Sequence, residues 1–197
     1  MFEIPVSIQI GEQSLTIRNR GDYRVVLDCF AALNDVELDQ KERVYCALII
    51  FYEDFNDLTD LMAFPQLNEA VQKMYWFFNC GDDKGVGANK HYKLIDWSGD
   101  SQLIASAINK VANTEIRMAT YIHWWTFMGY YLAIGESPLA TIVSIRSKIM
   151  EGKKLEKHES KFRNDNPQYF LWDNKSVEEK EAEEAVLSLW NSNSSGV

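Results

Sequence analysis

The run Tyr121-Ile122-His123-Trp124-Trp125-Thr126-Phe127-Met128-Gly129-Tyr130-Tyr131 decides how the chain folds. It gathers six aromatic rings and a histidine, and no formal charge occurs between Arg117 and Glu136. Each aromatic side chain buries about 150–250 Å², so such a run belongs in a core, at a partner surface or around a ligand. Met118, Tyr121, Trp125, Met128 and Leu132 alternate spacings of three and four, which makes one helical stripe. Trp124, Phe127 and Tyr131 make a second beside it. The apolar arc is wide, as in a helix buried on most sides. Tyr121, Trp124, Trp125, Phe127 and Met128 are therefore the expected structural aromatic core. Gly129 is expected to let a neighbouring backbone approach Trp125. The run is too short and too polar for a membrane span, which needs about 20 apolar residues.

Helical patterns extend on both sides of this run. Asp22 and Asp39 are expected to cap helices reaching about Leu33 and Glu53. A short helix is expected over Asp57–Phe64, before Pro65. A longer one, Gln66–Asn79, carries Trp76-Phe77-Phe78 and ends at Cys80-Gly81. Residues 81–91 read as a flexible loop and Tyr92–Trp97 as extended. Asp100 is the expected cap of the helix before the aromatic run, and Glu136-Ser137-Pro138 opens the next one. Only the start of the chain alternates with period two: Phe2, Ile4, Val6, Ile8 and Ile10, a turn at Gly11-Glu12-Gln13, then Leu15 and Ile17. A hairpin alone is marginal, so this one must pack on the body or pair through its edge, even with a second copy of the chain. The expected fold is mainly α: a helical, bundle-like single domain with a small N-terminal β-hairpin. The divisions are a hairpin accessory over 1–20, a helical domain over 22–165, and an acidic helix with a frayed tail over 166–197.

Composition restricts the function. The chain has 197 residues and a net charge of −9, which argues against nucleic-acid binding, since that needs a basic footprint. Cys29, Cys46 and Cys80 lack paired spacing and read as reduced thiols. Met1-Phe2-Glu3-Ile4-Pro5 carries no basic n-region, so no secretion signal is expected.

Signals for chemistry are weak. Cys80, Asp82, Asp83 and His91 lack the paired spacing of a zinc site. Gly85-Val86-Gly87 is not followed by the lysine of a phosphate loop. Asp54, Asp57 and Asp60 recur every three residues, which suits a metal or acid–base pair but equally suits helix caps. His123 has no evident partner for general-base work. No catalytic residue, metal or cofactor is assigned; a small metal-dependent hydrolase using Asp54, Asp57 or His91 is the competing reading.

One charged segment stands out. From Arg146 to Arg163, seven basic residues face Glu151, Glu156 and Glu159, a local charge of about +4 within an acidic chain. Lys153, Lys154, Lys157 and Lys161 are the expected partner-binding residues, bordering an apolar groove between helices. The segment Val177–Trp190 is acidic, so the complementary surface could lie on the chain's own tail, a second subunit or another protein.

The order Tyr92, Asp100, Ile104, Ala107, then His123-Trp124-Trp125-x-Phe127, and later Ile145-Arg146, resembles the "gene product fifteen" family of siphophages and prophages of Gram-positive bacteria. Trp76-Phe77-Phe78-Asn79-Cys80-Gly81 matches an aromatic run in that family. The resemblance covers roughly residues 40–155. It implies a place in the tail-morphogenesis cluster beside the tape measure gene, and hence a non-enzymatic tail assembly chaperone in the host cytoplasm. Such a chaperone would keep the tape measure protein soluble during virion morphogenesis until tail tube subunits replace it, with a sister chaperone as a further partner. A permanent tail connector is the alternative within phage biology. The resemblance supplies no catalytic residues.

Overall fold

The computed structural model describes residues 3–82 and 94–174. The acidic segment 177–190, most of the 81–91 loop and Tyr92 lie outside the described residues. The chain is mainly helical, with one small antiparallel hairpin. It divides into two compact units, residues 1–85 with 101–135, and residues 86–100 with 136–197.

In the first unit, β1 (Ser7–Ile10) pairs with β2 (Gln13–Thr16), setting Ile8 against Leu15 and Ile10 against Gln13. Gly11 turns the chain at φ +55°, a left-handed value that favours glycine. Ile8, Ile10 and Leu15 are buried and Ser7, Gln9 and Gln13 exposed, so one face of the hairpin packs on the body. Its far end is covered. Ile17 bridges Tyr52, the Glu53 amide donates to the Thr16 carbonyl, and the Thr16 amide donates to the Asp54 carboxylate.

Among the described residues this unit has six α-helices: α1 (Tyr23–Leu33), α2 (Gln40–Phe51), α3 (Leu58–Ala63), α4 (Leu67–Phe78), α5 (Ser101–Ala112) and α6 (Trp124–Leu132). Their starts follow local chemistry. Asp22, Asp39 and Asp57 accept first-turn amides, and Asp39 forms a capping box with Glu42. Arg18 closes the other end of α2, donating to the carbonyls of Ile49, Ile50 and Tyr52 at 2.9–3.1 Å.

The aromatic run needs correction. Its helix begins at Trp124, with His123 as the cap. Residues before it are extended or in a 3-10 turn, so Tyr121 is not core: it is 41% exposed, and its hydroxyl donates to the Arg20 carbonyl. Met118 and Leu132, the ends of the expected stripe, are 82% and 77% exposed. Gly129 has open space around it rather than a neighbouring backbone.

In the second unit, α7 (Pro138–Met150) starts at the Ser137 cap with Pro138 in its first turn. A short loop leads to α8 (Lys157–Asp165), where Glu156 and Glu159 form a capping box. A 3-10 stretch, Pro167–Asn174, packs against α8. Leu139, Ile142 and Ile145 form the buried face of α7. Leu94–Trp97 forms no strand.

Candidate functional site

The residues that make the sequence distinctive meet one another. The indole N–H of Trp124 donates to the Phe78 carbonyl, and that of Trp125 to the Phe77 carbonyl, both at 2.9 Å. These are carbonyls of the last turn of α4, beyond the reach of the helix's own i+4 amides, although the Phe77 carbonyl also accepts the Cys80 amide of the turn that follows. The start of α6 thus caps the end of α4. The α4 end itself turns through left-handed Cys80 and Gly81, and the Gly81 amide donates to Trp76. A Cβ on Gly81 would stand 3.1 Å from the Trp125 ring, so the bare backbone is what admits that indole. Trp124, Phe127 and Met128 are buried, and Trp125 is half-buried. Tyr23 stacks on Phe127 at 4.5 Å between ring centres, and Phe30 meets Trp124 edge-on.

His123 belongs to the same cluster. Its Nδ1 accepts the Trp125 amide and its Nε2 lies 3.1 Å from the Pro5 carbonyl, which fixes the proton on Nε2. The ring is 2% exposed, and burial lowers its pKa below the usual histidine value, while Pro5 and Asp22 pull the other way. This is a structural histidine. Gly21, at φ +79°, leaves the space it needs: a Cβ there would lie 2.7 Å from Phe77 and 3.0 Å from His123.

Asp22 does more than the expected capping. It accepts the Arg24 amide, pairs with the Arg24 guanidinium at 3.1 Å and accepts the Ile122 amide at 3.0 Å. The Tyr23 amide donates to the Ile122 carbonyl, and Arg24 reaches the Ala119 carbonyl at 2.7 Å. These bonds hold residues 119–122 extended. The close Asp22-x-Arg24 spacing is the sequence signal for this arrangement.

The acidic candidates are occupied by backbone. Asp57 accepts the Thr59 and Asp60 amides, Asp60 accepts from Asn56, and Asp54 accepts from Thr16. Among the described residues no three His, Cys, Asp or Glu side chains come together as metal ligands. Asp83, Gly85–Gly87 and His91 lie outside the described residues.

Lys153, Lys154, Lys157 and Lys161 are all exposed, in the α7–α8 loop and on α8. In the rest of the basic segment Arg163 is exposed, whereas Arg146 and Lys148 are taken up in pairs. Arg146 is 3% exposed and makes a two-pronged pair with Asp100, itself 1% exposed. It also donates to the carbonyls of Leu94 and Tyr169. Lys148 pairs with Glu159 at 2.6 Å, and Lys153 with Glu151. The apolar residues of α7 that would line a groove, Leu139, Ile142 and Ile145, are buried. Met150, at its end, is 47% exposed. Elsewhere Leu58 and Met62 on α3 are exposed together at 54% and 60%. Among the described residues no helix is long and apolar enough to cross a membrane.

Against known proteins, residues 2–171 match the Bacteriophage Gp15 protein family. No curated protein and no solved structure matches the chain. The match spans most of the chain, so this protein belongs to that family.

Proposed function

We propose that this member of the Bacteriophage Gp15 protein family is a non-enzymatic tail assembly chaperone that holds the tape measure protein soluble during tail morphogenesis in the host cytoplasm. The observation that carries the reading is the family match, which covers both the aromatic clamp and the lysine-bearing segment. The geometry is compatible with it. Among the described residues, Asp54, Asp57, Asp60 and His123 are engaged in caps and packing, and we place the function on the exposed surface. The first unit exposes apolar side chains, such as Leu58, Met62, Met118 and Leu132, and the second unit, taken by itself, exposes the cations Lys153, Lys154, Lys157 and Lys161. A tape measure chain exposes amphipathic helices before assembly. Apolar contacts set how long such a client stays bound, and rim charges steer its arrival. The net charge of −9 keeps the complex soluble.

Co-expression with the tape measure protein, with the sister chaperone present, tests this. Soluble yield of the client is expected to rise, and a complex is expected to be recovered at low salt. Reversing the four lysines to glutamate should slow complex formation and flatten its salt dependence. A client that stays insoluble, with no complex recovered, overturns the reading. Mass spectrometry of finished particles separates a chaperone, expected to be absent, from a permanent connector.

A further inference from the structure

We propose that Ile4, Arg20, Met118 and Tyr121 of the first unit form a docking surface for the tape measure client, on which Arg20 receives a client carboxylate flanked by apolar side chains. The identity of the client rests on the function proposed above. The surface rests on the turn that presents Arg20. Asn19, Arg20 and Gly21 stand in succession at φ +47°, +55° and +79°. Glycine and asparagine tolerate this left-handed region, whereas an arginine is strained there. Hydrogen bonds hold the strained turn in place. The Asn19 amide donates to the Glu53 carboxylate at 3.0 Å, and the Arg20 amide to the Ile17 carbonyl at 3.0 Å. The Arg20 carbonyl accepts the Tyr121 hydroxyl at 2.9 Å. The Arg20 backbone is therefore fixed on both sides, and a side chain leaving a fixed base loses less freedom on binding. A strained residue kept by its surroundings points to a use for the side chain it carries.

That side chain is exposed and unmatched. The guanidinium groups of Arg18, Arg24, Arg43, Arg117 and Arg146 all donate within the chain. The Arg20 guanidinium makes no hydrogen bond or ion pair among the described residues. Apolar surface adjoins it. Tyr121 is 41% exposed, and Met118, three residues before it, is 82% exposed. Ile4, 44% exposed, precedes Pro5, whose carbonyl lies 3.1 Å from the His123 ring that packs beside Gly21. Arg and Tyr are enriched among the residues that anchor protein interfaces, and Met adapts its shape to a partner. Charge selects the chemistry of that partner. Glu53 sits on the turn and Glu115 caps the 116–118 stretch, so a polyanion such as nucleic acid is repelled. A single carboxylate on an otherwise apolar helix instead meets the free guanidinium as a two-pronged pair.

Co-expression with the tape measure protein and the sister chaperone, followed by measurement of the affinity of the recovered complex, tests the site. Arg20→Glu is expected to weaken the complex about tenfold or more, and Arg20→Lys less, because the charge stays and only the fork is lost. Arg20→Gly separates binding from folding. Glycine relaxes the left-handed turn, so its melting temperature should equal or exceed that of the parent, while the complex still weakens about fivefold or more. When the client's carboxylates are changed to lysine one at a time, one variant should bind the Arg20→Glu chain better than it binds the parent. A complex unchanged by both Arg20→Glu and Arg20→Gly overturns the site and leaves the proposed function standing. The lack of any such client variant overturns the carboxylate pairing. A client-free parent that forms an oligomer which Arg20→Glu disperses assigns the surface to a second copy and overturns the client as its occupant. A parent chain that yields no complex overturns the proposed function and this occupant together.

Discussion

The two units join distant segments by opposite means. In the first, the Trp124 indole reaches the Phe78 carbonyl across 46 positions, a neutral hydrogen bond set in an aromatic cluster. In the second, Arg146 reaches Asp100 across the same separation, a buried pair of full charges. The aromatic closure adds packing area to a bond of about 1 kcal/mol. The ionic closure offsets the desolvation of two charges and holds only while both partners and the surrounding carbonyls are present. The two closures are therefore expected to fail differently.

The largest effects fall on these two residues. Trp124→Ala removes a fully buried ring and is expected to cost about 3–5 kcal/mol. Arg146→Met strands a buried carboxylate and is also expected to cost about 3–5 kcal/mol. The distinction comes from the repair. Adding Asp100→Leu to Arg146→Met should recover part of the loss in urea unfolding, because the stranded charge is gone. No single partner change should repair Trp124→Ala. If the double variant is no better than Arg146→Met alone, the pair does not work as an ionic closure. Trp125→Phe keeps a ring and loses one indole donor, so a smaller loss of about 1 kcal/mol is expected.

The effect of pH comes next. The folded state lowers the pKa of His123. Between that value and the ordinary histidine value the unfolded chain binds more protons, so stability is fully present above about pH 6.5 and declines as pH falls through the folded pKa. The physical event is loss of the Nδ1 acceptor that caps α6. His123→Asn keeps a capping acceptor without the titration. Its melting temperature should change less between pH 7 and 5 than that of the parent; an equal change in both would place the pH sensitivity elsewhere. The smallest effect is expected at Lys148–Glu159. Lys148 lowers the pKa of Glu159 by direct hydrogen bonding; Glu159 is buried, but the Lys148 side chain is 31% exposed, so the pair is open to solvent on the lysine side. Lys148→Ala should weaken stability slightly at low salt and negligibly at high salt.

Much of the helical framework was legible because its signals are local. Asp22, Asp39, Asp57 and Ser137 cap where a short polar side chain precedes an apolar period. The hairpin followed from strict alternation, and membership of the phage family from the His-Trp-Trp-x-Phe run. Long-range bonds were not legible. Periodicity reads 118–122 as helix, but Asp22 and Arg24, about a hundred positions away, take the backbone of 119–122 and hold it extended. Arg146 reads as a surface cation among lysines, although its buried partner Asp100 lies far upstream. Sequence spacing also shows no difference between lysines that are paired and those that face outward.

If the aromatic run serves the fold and the surface serves the client, one comparison decides it. Trp125→Phe and the parent chain would be co-expressed with the tape measure protein, and both melting temperature and recovered complex measured below the variant's melting point. A lower melting temperature with undiminished complex is the expected result. An unchanged melting temperature with the complex lost would contradict it, because the indole would then be touching the client rather than the end of α4.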